Sequence, residues 1–434
     1  MSATSYAKWH LAQEARALLT RLARLAPFAL QNPMLPAAAL LPIAQNAIEQ
    51  FLIRGRRELR GRVLAFQHWL DSEEGQRASP AEAQRRFTIL RLRFNAVLTQ
   101  FDTFQDVLVQ RSENETGVRL SGLDIVSADA LALPGYYEAP PVICYLDRGV
   151  GAAIRRARTR LPGGGENPVA IVRVPRERMI GAGIASSLFH EVGHQASALL
   201  DLVNSLRPVL KGLQRGAGER GLAWQLWERW ISEIIADFWA VARLGIGATL
   251  GLVGVVSLPR AFVFRATLDD PHPIPWIRVR LSGAIGEALY PHPQWRQLAG
   301  VWESFYPPTG LHENTLRTLG LLETTMPAFI SILVGHRPRA LRGRSLAEVM
   351  DTEERQPARL EALYRQWLAA PAQMYRAPSA MCFAVIGQAR AEGQMTPEAE
   401  SEIIAKLLTH WALQSTLDVS AMCATVPAAR KVAA

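Results

Sequence analysis

Residues 190–194 read His190-Glu191-Val192-Gly193-His194, inside a stretch, Ile184 to Leu206, whose apolar spacing predicts one continuous helix. Side chains four apart on a helix share a face, so both imidazoles can reach one metal ion. Glu191 then projects beside that ion, placed to take a proton from an attacking water. Leu188 and Phe189 precede the motif, and the residues between the two histidines include only one charge, Glu191 itself. A solvated helix face would carry more. The plain alternative is a helix with two partly buried, hydrogen-bonded histidines.

A catalytic zinc site needs three protein ligands and one open position. A third histidine six residues past the motif is ruled out. Leu200 stands there, and Ser197 stands where the glycine of that pattern belongs. A reversed His-x-x-Glu-His order is absent. The remaining source is a glutamate on a later helix, and the stretch from Trp224 to Leu244 supplies one. It is apolar nearly all round (Trp227, Trp230, Ile231, Ile234, Ile235, Phe238, Trp239), which marks a buried helix. Yet Glu233 and Asp237 sit in its middle, on one face. Buried carboxylates without a partner cost several kcal/mol or stay protonated. A cation beside them removes that cost. Glu233 is therefore assigned as the third ligand. Asp237 is assigned as the acceptor that orients one ligand imidazole through its other ring nitrogen. The alternative is a buried acid pair matched by an arginine, with Arg229 or Arg243 as candidates.

His190-Glu191-x-x-His194 followed by Glu233-x-x-x-Asp237 resembles the gluzincin peptidases, the group that includes thermolysin. Downstream, Asp269-Asp270-Pro271-His272-Pro273 is followed by Arg278. Gluzincins of the HtpX type carry a similar order: the His-Glu-x-x-His helix, a Glu-x-x-Ala-Asp helix (here Glu233-Ile-Ile-Ala236-Asp237), then a His-Pro step and an arginine. The resemblance spans roughly residues 180–285. The flanks, about two thirds of the chain, resemble no such pattern, and no membrane-spanning helix of that type is expected. The resemblance implies hydrolysis of peptide bonds by a zinc-activated water, with His190, His194 and Glu233 as ligands and Glu191 as general base. It also implies a group that stabilises the oxyanion. His272, held between two prolines, is the candidate, and Arg278 is the alternative. The competing readings are an ordinary turn histidine and an arginine paired to a carboxylate. Zincin sites lie beside a sheet edge that pairs with extended substrate. The suitable strands are Pro141 to Leu146 and Val169 to Val174, β-branched and bounded by turn residues.

The expected fold class is α+β and predominantly helical. A zincin-like core with a small sheet beside the motif helix would occupy residues 118–308, between helical regions at 1–117 and 309–434. Pro27, Pro33, Pro36 and Pro42 break the first region. Ser79-Pro80-Ala81-Glu82 starts a helix running towards Gln100, and Thr396-Pro397 starts one through Trp411. Asn114 to Gly117 marks a boundary. Nucleotide cradles are excluded on local grounds. Gly163-Gly164-Gly165 reads as a loop between strands, with no Gly-Lys-Ser/Thr after it, and Gly245-x-Gly247-x-x-x-Gly251 follows a helix instead of a strand.

The chain has 434 residues, 49% of them hydrophobic, enough for large cores. Its net charge is +9, with arginine clusters at Arg54–Arg62 and Arg155–Arg160. Such clusters can bind phosphate or an acidic partner, but no nucleic-acid motif accompanies them, so no nucleic-acid partner is expected. Cys144, Cys382 and Cys423 are too scattered for a disulfide framework, which suits a reducing cytoplasm. The first residues lack the form of a secretory signal. The apolar run Leu244 to Leu258 falls short of the roughly 20 residues a span needs. It reads as a buried helix covering the site. The functional expectation is thus a cytoplasmic zinc metalloendopeptidase acting on protein or peptide, whose helical flanks could dock a protein partner, gate the cleft or hold it latent. The rivals are a zincin-like binding or scaffold protein that keeps zinc only for structure, and a basic scaffold with incidental motifs.

Overall fold

The computed structural model describes residues 2–24, 34–149, 151–161, 164–176, 183–265 and 270–425. The protein is predominantly helical, with one three-stranded sheet. Three long N-terminal helices come first: α1 (Ala3–Ala23), α2 (Pro42–Asp71) and α3 (Pro80–Val109). Pro42 stands in the first turn of α2, where a missing N–H costs nothing. Ser79 caps α3 by accepting from the Glu82 N–H, and the helix runs nine residues past the expected Gln100. Leu11, Leu18, Val63, Phe66, Phe87 and Phe94 form the core these three helices share. Pro27 and Pro33 lie outside the described residues.

The sheet follows α4 (Asn114–Leu131) and contains β1 (Val142–Asp147), β2 (Ala153–Arg155) and β3 (Ala170–Pro175), in the order β1-β3-β2. β1 and β3 run parallel, with Val142 opposite Ala170; β2 runs antiparallel to β3, with Ala153 opposite Arg173. Strand residues alternate between faces. Ile143 and Ile171 therefore meet Phe51, Phe101 and Phe104 of α2 and α3 on one side. Val142, Cys144, Leu146, Ala170, Val172 and Val174 enter the main core on the other. The sheet is the layer between the N-terminal helices and the rest of the molecule. Gly164 and Gly165 do lie in the connection from β2 to β3, while Gly163 lies outside the described residues.

The main core is built on α5 (Gly183–Leu199), α6 (Leu202–Gln214) and α7 (Gly221–Leu244). The single helix expected from Ile184 to Leu206 is two. Asp201 adopts a left-handed conformation (φ 52°, ψ 34°), which a short polar side chain tolerates, and the chain turns there. The turn lets Leu202, Leu206 and Leu210 of α6 join the core. α8 (Ile246–Val256) starts at Gly245, whose φ of 58° and ψ of −137° suit only glycine. α9 (Pro275–Leu289), α10 (Gln294–Phe305), α11 (Glu313–Gly335), α12 (Pro357–Ala369), α13 (Ser379–Ala391) and α14 (Pro397–Thr425) are the further long helices among the described residues. Phe329 of α11, Phe383 of α13 and Trp411 of α14 belong to the same core as the sheet and α5, so the stretch from 309 packs as part of one body with the central region.

Among the described residues, α11 is long and apolar enough to cross a membrane by length and composition. Here one face packs inward. Trp227 stacks on Phe329 at 4.7 Å between ring centroids, and the Trp227 Nε1–H donates to Thr325 Oγ1 at 2.9 Å.

Candidate metal centre

The contact between α5 and α7 brings the motif residues together. Gly193 is what allows it: a Cβ there would meet Trp239 Cβ at 2.9 Å and Ala236 Cα at 3.0 Å. The helices therefore approach as closely as a bare backbone permits, one residue before His194 and three after His190. His190 Nε2 lies 3.2 Å from Glu233 Oε2, and His194 Nε2 lies 3.4 Å from Glu233 Oε1. One ligand atom from each of the three residues falls within 4.8 Å of the others, so His190, His194 and Glu233 could hold a metal ion.

The two histidine-to-carboxylate distances suit such an ion. Bonds of about 2.0–2.1 Å in a tetrahedron place ligand atoms about 3.3–3.4 Å apart. Glu233 Oε2 is buried and accepts no hydrogen bond, although His190 Nε2, His272 Nε2 and Arg278 Nη2 lie 3.2, 3.3 and 3.8 Å away. An acceptor so surrounded and still unsatisfied suits a bound cation better than a set of hydrogen bonds.

Asp237, one turn beyond Glu233, holds the back of the site. Its Oδ1 lies 2.8 Å from His190 Nδ1, which directs His190 Nε2 toward Glu233. Arg278 of α9 in turn donates to both Asp237 oxygens, at 2.7 Å from Nε and 2.9 Å from Nη2. The buried acid on α7 is thus matched by Arg278. Arg243 instead reaches the Ala132 carbonyl and lies over Trp239 at 5.4 Å.

The charges follow this geometry. Burial alone would lift the Asp237 pKa, but the Arg278 charge and then His190 outweigh it and bring it down to about 2. Burial would lower that of His190, but the charge and hydrogen bond of Asp237 dominate and raise it to about 9. Glu233 is held well below the usual carboxylate range. Burial opposes this, but the closeness and charge of both histidines prevail. Three acids, Glu191, Glu233 and Asp237, thus gather beside one arginine, Arg278, and two histidines.

Glu191 is buried beside His190 and borders two connected spaces. One is an open cleft of about 390 Å³ running from Glu191, His194 and Ser232 to Ala153 and Ile154 of β2. The other is a pocket of about 140 Å³ between α5, α7, α8 and α9. α8 lines this pocket, so the expected buried helix does flank the site. His272 stands at the mouth with its side chain half exposed. Its Nδ1 lies 2.8 Å from Asp270 Oδ1, which also accepts its backbone N–H at 3.0 Å. Asp269 lies outside the described residues.

Sequence reasoning placed both histidines, Glu233 and Asp237 where they meet, and put His272 near them. It offered Arg278 for two roles, and the fold ties that side chain into Asp237, away from free solvent. It missed Asp270 as the partner of His272, and Ser232, whose hydroxyl lies 3.5 Å from His194 Nδ1. It also missed β2, the sheet edge that borders the cleft. Three residues between a glycine and an arginine cluster give too short an alternation to read.

No protein-family model matches the chain, and no curated protein or solved structure does so either.

Proposed function

We propose that this protein is a zinc-dependent peptidase of the gluzincin kind, with His190, His194 and Glu233 as metal ligands and Glu191 as general base. The observation that carries the proposal is the spacing of two Nε2 atoms around the Glu233 carboxylate, whose Oε2 has no hydrogen-bond partner, with Glu191 adjoining on the histidines' own helix. Nitrogen and oxygen donors in this number suit zinc. Bound there, zinc supplies Lewis-acid polarisation and lowers the pKa of a water to about 7.

The chain's own residues do the rest. Glu191 takes the proton of the attacking water and delivers it to the leaving amine. Asp237 fixes the tautomer and direction of His190, and Arg278 fixes Asp237. His272, backed by Asp270, presents Nε2 at the cleft mouth, where it can donate to the developing oxyanion. The β2 edge offers backbone groups to an extended peptide, which adds as a further strand. β2 is an outer strand of the sheet, and its Ala153 and Ile154 line the cleft. The same site could keep zinc for structure alone, but a structural site has no use for Glu191 beside its ligands.

The test compares the native chain with Glu191→Gln. Metal analysis should find one zinc per chain in both. A proteome-wide cleavage comparison should find products only with the native chain. Stoichiometric zinc without any difference in cleavage would leave a zinc-binding scaffold; no zinc in either would remove the metal site.

A further inference from the structure

The basic run at Arg54–Arg62 plays no part in the metal centre, and the fold sets three of its arginines on a groove of their own. This groove, of about 690 Å³, lies between α1 and α2. Leu19 and Leu22 of α1 and Ile53 and Leu64 of α2 supply its apolar lining. Leu22 is buried at the bottom, and Leu19 and Leu64 are half-buried, so most of this apolar surface is recessed. Ile53, Arg57, Arg60 and Leu64 follow helical spacing and form one stripe of α2, about 16 Å long. Arg56, one turn before Arg60, lines the same groove.

Nothing in the protein answers these charges. Among the described residues, the side chains of Arg56, Arg57 and Arg60 make no ion pair or hydrogen bond. Glu58, the acid on the same turn, lines a different hollow, where Arg62 holds it at 2.7 Å and Arg93 lies at 3.8 Å. Residues 25–33, which follow α1 in the chain, carry no charge. Like charges one turn apart on a helix repel, and an anion between them relieves the repulsion. The three cations span about 6 Å along the helix, the reach of one head group and too short for a row of phosphates. We propose that the groove binds a single-chain anionic amphiphile of the long-chain carboxylate class, with its acyl chain against the leucines and its head on Arg56, Arg57 and Arg60. The volume falls within the roughly 300–1,000 Å³ of small-molecule sites. A guanidinium fork matches a carboxylate in shape and charge. The recessed lining admits a chain that enters it, whereas a bilayer surface would rest on the rim. This site is remote from the peptidase reading and does not depend on it.

Calorimetric titration of the full chain tests it, with dodecanoate, octanoate and dodecanol as probes. Dodecanoate should bind once per chain. A methylene covered on all sides contributes about fourfold, and about half that factor in an open groove, so octanoate should bind about 16-fold more weakly. Replacing Arg57 and Arg60 together by Gln removes two partly exposed charge pairs, which should weaken dodecanoate about tenfold. The same change should leave dodecanol, which has the chain and no charge, where it was. Ile53→Glu sets an acid one turn before Arg57, at a position 44% exposed, and should compete with dodecanoate for the arginines. It decides the matter if the double variant does not fold.

Saturable dodecanoate binding that weakens with the shorter chain and in the variants upholds the site. Absence of binding, or equal affinity in native and variant chains, overturns it. Two further probes cover the rival occupants: vesicles of phosphatidylglycerol in phosphatidylcholine, and an acidic amphipathic helical peptide. Binding of either one without binding of free dodecanoate overturns the proposal, in favour of a membrane surface or of a protein partner.

Discussion

The chain of contacts from His190 through Asp237 to Arg278 predicts two effects that mutation can separate. Asp237→Ala leaves the Arg278 guanidinium in place, its side chain 11% exposed, with Glu233 at 3.8 Å as its nearest remaining acid. Stranding one member of a buried ion pair costs about 3–5 kcal/mol. Arg278→Met strands Asp237 in the same way, although His190 still faces it. The double variant removes both charges, so its stability should return most of the way, with a coupling of about 2–3 kcal/mol. Zinc affinity should behave differently. Without Asp237 nothing holds the His190 ring, and loss of such a partner weakens metal binding about 10–100-fold. Restoring stability by deleting Arg278 does not restore that partner. The double variant should therefore be stable and still bind zinc weakly. Urea unfolding of metal-stripped protein measures the first quantity, and competition with a chromophoric chelator measures the second. Zinc affinity and stability recovering together would refute the idea that Asp237 acts on the metal through His190.

Three further outcomes follow from the same coordinates. Gly193→Ala forces a methyl against Trp239 and Ala236, so α5 and α7 must part. It should cost about 1–3 kcal/mol in unfolding experiments and weaken zinc binding as Glu233 moves from the histidines. In zinc-free protein, the His190 pKa of about 9 exceeds the unfolded value of about 6.5. Its stabilising contribution is complete below pH 6.5 and is lost as pH rises through 9. Zinc on Nε2 excludes that proton, so binding at pH 7 should release close to one proton, read by calorimetry in buffers of different ionisation enthalpy; no release would contradict the pairing with Asp237. Finally, burial, aided by Asp129, pushes the Cys382 thiol up to about 12, and burial with the Asp124 charge raises Cys144 as well. Both should resist a thiol reagent at pH 8 in native protein and react once it unfolds.

The parts of this site that were readable from sequence are those where chemistry conflicts with its local surroundings. Two histidines at helical spacing in an apolar stretch, and two carboxylates inside a tryptophan-rich helix, both break the pattern around them. Such breaks need a compensating partner, and that need points across space from one helix to the other. The unread parts carry no local conflict. The turn at Asp201 has no glycine or proline and interrupts an apolar rhythm that continues on both sides. Arg278 sits eight residues into a stretch beginning Pro271, and nothing local says that its fork meets Asp237. The merger of α11, α13 and α14 with the central core is equally silent, because apolar helix faces do not name their partners. The fold class was legible from periodicity; the assembly of its layers depended on contacts that periodicity does not encode.

A second buried ion pair in the same molecule shows what a structural charge looks like here. Arg111 and Asp124 have side chains 0% and 2% exposed and meet at 3.0 Å. They are matched one to one. Arg111 also donates to the Cys144 carbonyl at 2.7 Å, and the Cys144 N–H donates to Asp124 at 2.7 Å, which ties α4 to β1. That arrangement sets one cation against one anion and shuts both side chains off from solvent. The cluster on α5 and α7 does neither. It gathers three carboxylates around one arginine, turns two imidazole nitrogens toward the same carboxylate, and borders a cleft on one side and a pocket on the other. Burying an excess of negative charge costs several kcal/mol per ion unless a cation is present. A fold that matches Arg111 to Asp124 one to one gathers more acids than arginines around Glu233, an arrangement that a metal ion held by His190, His194 and Glu233 would complete.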